Sequence, residues 1–202
     1  MRAFKATLLL VLAMLLPLRL SHAEDEPSLS REFKIKVAFV YNFIKFVDWP
    51  GHEDKKNRIN PPNFTIAVIG HHPSLAAFDS LSNKTIKGRK VVIKKFKGYG
   101  TLLKENGGSE LRVEKSLESL KSCQLLFVCS SEKKYLEKIL AIVEKHAVLS
   151  VSDADGFLSQ GGVIRLLATK DNKLGFEINY TVAKKCGLKI SSRLLKLAVR
   201  TL

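Results

Sequence analysis

The sequence predicts an α/β fold: a three-layer α/β/α sandwich around a mixed, mostly parallel sheet, with antiparallel strands near the C-terminal end. Three observations carry this. Short apolar runs (Phe64–Ile69, Lys90–Phe96, Cys123–Cys129, Ala147–Val151) alternate with stretches of helical spacing, as in βαβ units whose sheet is covered on both faces. After Gly161-Gly162, the runs Val163–Ala168 and Leu174–Ile178 are separated only by Thr-Lys-Asp-Asn-Lys, short enough for a hairpin loop. A long apolar helix ending at Trp49-Pro50 precedes the first strand.

Residues 1–23 read as a Sec-type leader. Arg2 and Lys5 form a positive n-region, Ala6–Leu16 an apolar h-region, and Ser21-His22-Ala23 a small-x-small cleavage site. Pro17 and Arg19 interrupt the apolar run, which falls short of the roughly 20 residues that span a bilayer, so cleavage is expected rather than anchoring. Residues 24–202 then form one domain in an exported, periplasmic chain. Glu24–Leu29 is a polar lead-in. Ser30 is a plausible N-cap for a helix running to about Val47, with Glu32 in its first turn. Ile35, Phe39, Asn42, Phe43 and Phe46 share a face, and Val37, Val40, Tyr41 and Ile44 widen the apolar arc, predicting burial on more than one side. His52–Pro62 is a charged loop.

Phe64–Ile69 feeds Gly70 and a short helix over Ser74–Leu81. Lys90–Phe96 is the next strand, and Gly98–Ser109 reads as a glycine-rich loop. Leu111–Leu120 has helical spacing, Cys123–Cys129 is a continuous apolar strand, and Glu132–His146 is a helix with Tyr135, Leu136, Ile139, Leu140 and Val143 inward. Ala147–Val151 is a strand. Beyond the hairpin come a short helix over Thr181–Cys186, stopped by Gly187, and a last helix from Ser191 to the C-terminus.

The formal charge is +15, of which Arg2, Lys5 and Arg19 of the leader contribute three, leaving +12. Such a balance is either a solvated basic surface or a patch for anionic lipid headgroups, an acidic partner protein or nucleic acid, and export argues against nucleic acid. The three cysteines, Cys123, Cys129 and Cys186, leave at least one unpaired within a monomer. If 123–129 is a strand, Cys123 and Cys129 lie roughly 20 Å apart, beyond the about 7 Å limit for a disulfide.

Candidate binding residues follow from misfit chemistry. Asn42 lies in an apolar helix beside Phe43, and burying its amide unpaired costs about 1–3 kcal/mol; it either anchors a neighbouring loop or lines a groove. Asn179, just after a strand, has the same two readings and a third, as cap of the next helix. Trp49 is a packing lid on the helix end or an aromatic contact for a partner. His71 follows a strand C-terminus, the usual ligand-facing edge of an α/β sheet. Gly161-Gly162 leads into a strand, so the helix N-terminus that would bind phosphate is missing and a tight turn is expected. Asp153 and Asp155 supply too few oxygens for calcium. With no Cys/His cluster and no G-x-S-x-G elbow, neither metal nor cofactor is expected, and enzymatic activity is not.

Four segments in order resemble the YfiR family of periplasmic regulators. They are Val37-Ala-Phe-Val-Tyr-Asn-Phe-Ile-Lys-Phe-Val-Asp-Trp-Pro50; Phe64-Thr-Ile-Ala-Val-Ile-Gly70; Val148-Leu-Ser-Val-Ser-Asp153 with Gly156-Phe157 and Gly161-Gly162-Val-Ile164; and Phe176-Glu-Ile-Asn179 followed by Ile190-Ser-Ser-Arg-Leu-Leu-Lys-Leu-Ala198. The resemblance implies a non-enzymatic repressor that binds the periplasmic part of an inner-membrane diguanylate cyclase and lowers cyclic di-GMP signalling. The alternative is a small-molecule-binding sensor subunit acting on another membrane signalling protein such as a sensor kinase. A second copy of the chain, as homodimer, is a further candidate partner. Relatives commonly carry a cysteine where Ala67 stands, and some carry a pair bracketing the double glycine, where residues 158–165 have none. Redox sensing through those bridges is not implied here.

Overall fold

The computed structural model describes residues 28–50, 63–171 and 173–202. The leader, most of the Glu24–Leu29 lead-in and the whole of the His52–Pro62 loop lie outside them. Helix α1 (Ser28–Lys45) is followed by β1 (Val47–Asp48), β2 (Asn63–Ile69), a 3-10 helix over Leu75–Leu81, β3 (Thr85–Ile86) and β4 (Arg89–Phe96). Then come α2 (Tyr99–Glu105), α3 (Glu110–Ser116), a 3-10 turn over Glu118–Ser122 and β5 (Leu125–Val128). A 3-10 turn over Ser130–Tyr135 leads into α4 (Leu136–Val143) and β6 (Leu149–Ser152). The chain ends with β7 (Ile164–Ala168), β8 (Leu174–Ile178), α5 (Tyr180–Lys185), β9 (Lys189–Ile190), α6 (Ser192–Leu197) and β10 (Arg200–Thr201).

Eight strands form the main sheet in the order β10-β8-β7-β6-β5-β2-β4-β3. β4, β2, β5, β6 and β7 run parallel. β8 returns antiparallel to β7 in the predicted hairpin, with Ile164 opposite Ile178. Because β2 from Ile66 onward and all of β5 are buried on both faces, their sequences are continuously apolar rather than alternating. One layer of core packs α1, the 75–81 helix, α5 and α6 on Phe64, Ile66, Phe127, Val151 and Phe176. The other packs α2, α3 and α4 on Ala67, Ile69, Leu126 and Val128. This is the three-layer sandwich that the alternating pattern predicts.

Several local expectations are corrected. α1 begins three residues before the start that an N-cap at Ser30 implies and ends two before Val47, so Ser30 lies inside it, and Val47-Asp48 leave the helix to pair antiparallel with Lys189-Ile190. Nor is α1 buried on more than one side. Phe33, Val37, Val40, Phe43 and Ile44 form its core stripe, while Ile35 is 44% exposed and Ala38 and Asn42 face outward. The glycine-rich stretch after Gly98 folds into α2 because Tyr99, 1% exposed, anchors it against Tyr135 with rings 5.1 Å apart. Tertiary burial overrides weak helix propensity there. The 111–120 and 132–146 helices each split into an α-helix and a 3-10 turn. The last helix stops at Leu197, and Arg200-Thr201 join the sheet beside β8. β3 and β9, too short to show a period, went unpredicted.

Candidate functional site

The sheet order changes direction between β2 and β5, which places their carboxyl ends at a topological switch point, where α/β sheets hold ligands. In this chain that crevice is closed. Gly70 has φ +105, and a Cβ there would lie 2.7 Å from Ser131 Oγ and 2.9 Å from Cys129 Cβ, so only glycine lets the two strand ends approach. His71 follows with its backbone N–H donating to Ser131 Oγ at 2.9 Å, and its side chain is exposed. Glu132 is 5% exposed and accepts from the Tyr99 N–H at 2.8 Å and from Ser131 Oγ at 3.0 Å, stitching the β4 and β5 ends together.

The open part of the carboxyl edge lies one strand further along. β7 and β8 project past the end of β6, because only Ile164 and Arg165 of β7 pair with it, opposite Val151 and Ser152 at its terminus. Between the projecting hairpin and the N-terminal half of α1 is a groove of about 440 Å³, lined among others by Glu32, Lys36, Asp153, Asp155, Arg165 and Lys173. At its base Lys36 Nζ donates to Asp153 Oδ2 at 2.7 Å, both side chains 13% exposed, and meets Glu32 Oε1 at 2.8 Å. Burial pulls the Lys36 pKa down, but the hydrogen bonds to Asp153 and Glu32 and their charges outweigh it, leaving the ammonium above its ordinary 10.5. Asp153 Oδ1 is buried without a hydrogen-bond partner among the described residues.

Arg165 pairs with Asp155 and lies 3.6 Å from Glu177, which also meets Arg200 at 2.9 Å. Beside the groove, the His72 ring stacks on Phe33 with centroids 3.9 Å apart. Burial pushes the His72 pKa below 6.5, with Asp153 opposing that shift and Lys36 adding to it. Its Nδ1 accepts from the Ser74 N–H at 3.1 Å, which assigns the ring proton to Nε2 in the neutral form. A second hollow of about 380 Å³ lies in the opposite layer between α4 and the 118–122 turn, lined by Glu114, Glu118, Lys121 and Lys145 among others.

The sequence-predicted residues divide. Asp153 lines the groove. Asn42 is exposed, contrary to its expected burial, and accepts from Lys45 Nζ at 3.1 Å. Phe43, 2% exposed, packs against Phe176 at 4.9 Å and is closed to any partner. Trp49, 7% exposed, is the packing lid: its indole N–H donates to the Gln124 carbonyl at 3.1 Å and its ring meets Phe64 edge-on at 5.3 Å. Gly161, Gly162 and Asn179 come together around the 157–163 loop. Gly161 turns the chain at φ +95, and a Cβ on Gly162 would lie 2.3 Å from the Phe157 ring. Asn179 caps α5 by accepting from the Val182 N–H at 3.0 Å and donates to the Leu158 carbonyl at 3.3 Å.

Lys36 and Arg165 went unpredicted. The signal was a base embedded in an apolar stretch: Lys36 between Phe33 and Val37, and Arg165 inside Val-Ile-Arg-Leu-Leu. The cysteines are all free; Cys123 and Cys129 pack into opposite layers, and burial pushes both thiols up to about 12. The described residues contain no cluster of His, Cys, Asp or Glu able to hold a metal, and no helix long and apolar enough to cross a membrane.

Fold and edge geometry define the class first: a three-layer α/β/α domain with a charged groove at the carboxyl edge of its sheet. Residues 33–199 match a family model described as DUF4154, YfiR/HmsC-like, and the chain belongs to that family. The family is one of periplasmic regulators of the diguanylate cyclase pathway, regulators rather than enzymes. None of the curated proteins matches the sequence. Among solved structures, a conserved domain protein from Vibrio cholerae O1 biovar eltor is similar at TM-score 0.52 and 12% identity, over 84% of this chain and 60% of that one. That likeness shows the fold alone, and this chain spans about 60% of the Vibrio chain's length. The ABC domain from Streptococcus pneumonia in complex with L-Trp aligns at TM-score 0.46 and 11% identity over 68% of this chain and 55% of its own, too weakly to carry an argument.

Proposed function

We propose that this chain is a periplasmic regulatory protein without catalysis of its own, which binds the periplasmic part of an inner-membrane diguanylate cyclase and so lowers cyclic di-GMP signalling. The observation that carries this is the family match over residues 33–199. The surface offers a stripe suited to such contact: Ile35, Ala38 and Asn42 share the outward line of α1, with Ile35 44% exposed. The basic balance of the chain favours an acidic ectodomain, with charge setting the association rate more than the affinity. Deleting the gene in its native cell should raise cyclic di-GMP, and restoring the exported protein should bring it back down. An unchanged level on deletion refutes the reading.

The carboxyl-edge groove favours a second reading, a sensor subunit whose small polar ligand tunes the partner contact. Asp153 would stand at its base and His72 beside it, while His71 lies at the closed β2–β5 crevice. A ligand at about 100 times its dissociation constant adds about 2.7 kcal/mol, roughly 5–11 °C in Tm for a chain of this size. A screen of polar metabolites should produce such a shift, and Asp153→Asn should abolish it. A screen in which no compound stabilises the protein, or a shift that survives Asp153→Asn, removes the groove from consideration.

A further inference from the structure

The acidic and basic residues are not evenly mixed. From Tyr180 to the C-terminus stand Lys184, Lys185, Lys189, Arg193, Lys196 and Arg200, with no Asp or Glu, although the whole chain holds 19 acidic residues. The fold turns this run into a surface. Ala183, Leu188, Ile190 and Leu194 point into the core beneath α1 and the sheet. Lys184, Lys185, Lys189, Arg193 and Lys196 therefore lie on the outward side, all of them exposed. Arg200 is taken by Glu177. Among the described residues Lys184, Lys185, Arg193 and Lys196 face no carboxylate, Lys184 instead lying over the Tyr180 ring at 4.9 Å. Directly after the last of these cations stand Leu197 at 67%, Val199 at 59% and Leu202 at 46% exposure, three of the five large apolar side chains left open on the described surface.

From this arrangement we infer that the α5–β9–α6 surface docks on an anionic lipid bilayer. Cations and aliphatic side chains exposed within a few residues of one another are the chemistry of interfacial association, in which the bases meet headgroups and the apolar tips enter the acyl boundary. Four of the five outward cations are lysines, point charges on flexible stems suited to a diffuse negative surface. Recognition of individual carboxylates on a protein favours the planar fork of arginine. Docking would hold the chain beside the membrane through the layer that also carries α1. The lipid contact needs no signalling partner, so it stands or falls separately from the proposed function.

The test is co-sedimentation of the mature protein, recovered from periplasmic extract, with vesicles of phosphatidylcholine carrying about 30% phosphatidylglycerol, at about 0.1 M salt. Each base at an anionic surface is worth about fivefold in partitioning. The variant K184Q/K185Q/R193Q/K196Q should lose at least roughly a hundredfold. K90Q/K94Q/K104Q/K115Q removes the same charge from β4, α2 and α3 and should lose no more than about fivefold, since charges beyond about 10 Å are screened. Replacing Leu197, Val199 and Leu202 with Ser, a change confined to exposed positions, should remove the fraction of binding that survives high salt. Absence of sedimentation overturns the inference. So does equal loss in the two fourfold variants, which would mark mere net charge. Binding to soluble polyglutamate without binding to vesicles would assign the surface to an acidic protein instead.

Discussion

Breaking the ion pair at the base of the groove tests the description of the site most directly. Lys36 Nζ sits 2.7 Å from Asp153 Oδ2 with both side chains 13% exposed. Removing one partner of a buried pair costs about 3–5 kcal/mol, because a desolvated charge is left uncompensated. Lys36→Met strands the Asp153 carboxylate, whose Oδ1 already lacks a partner among the described residues, and residual solvent contact places the cost at the low end, about 3 kcal/mol. Asp153→Asn is milder, about 1–2 kcal/mol, since Lys36 keeps Glu32 at 2.8 Å. At roughly 2–4 °C per kcal/mol for a chain of this size, Lys36→Met should lower Tm by about 6–12 °C and Asp153→Asn by about 2–8 °C. K36M/D153L removes both charges and should fall no further than Lys36→Met alone. Circular dichroism melts read all three. The pH dependence has a definite sign. The folded Lys36 pKa lies above 10.5, so its stabilisation is complete below 10.5 and is lost as pH rises through the folded value. The gap between wild type and Lys36→Met should hold from neutral pH to about 10 and close above it. A Lys36→Met protein melting within about 2 °C of wild type, or a double variant destabilised by the sum of the singles, would refute the coupled buried pair.

Other outcomes follow from the same geometry. Gly162→Ala puts a methyl into the Phe157 ring and should cost about 1–3 kcal/mol in urea unfolding. Trp49→Phe loses the hydrogen bond to the Gln124 carbonyl and should cost about 1 kcal/mol; the native emission of this single tryptophan should be blue-shifted and should move red on unfolding. Asn42→Ala, at an exposed helical site, should change stability by no more than about 0.5 kcal/mol, so any loss of cyclic di-GMP repression in that variant belongs to a partner contact. Titration with a thiol reagent at pH 8 should modify Cys186 first. Cys123 and Cys129, held near 12 by burial, should react only on unfolding.

The parts of the fold legible in the sequence were those with enough residues to show a period or an unbroken apolar run. Phe64–Ile69 and Cys123–Cys129 read as buried strands because both sheet faces are covered, and the five-residue polar link before Leu174 could only close a hairpin. Asp153 was legible only as one of two loop carboxylates, and its pairing with Lys36 was not. Membership of the family was equally legible, since its four segments are contiguous motifs.

What the sequence alone determined is therefore the layer order, the mostly parallel sheet with its late hairpin, and the basic, acid-free run at the C-terminus. Tertiary structure decided the rest. Asn42 is exposed and Lys36 half-sunk because the direction of the core stripe on α1 depends on what packs against it, which one helix's period leaves ambiguous by a residue or two. β1, β3, β9 and β10 are two residues long and exist only because distant backbone reaches them. The groove itself joins Lys36 to Asp153 across 117 positions of sequence. A contact of that range has no local signature, because it is made by the sheet that carries both ends to one edge.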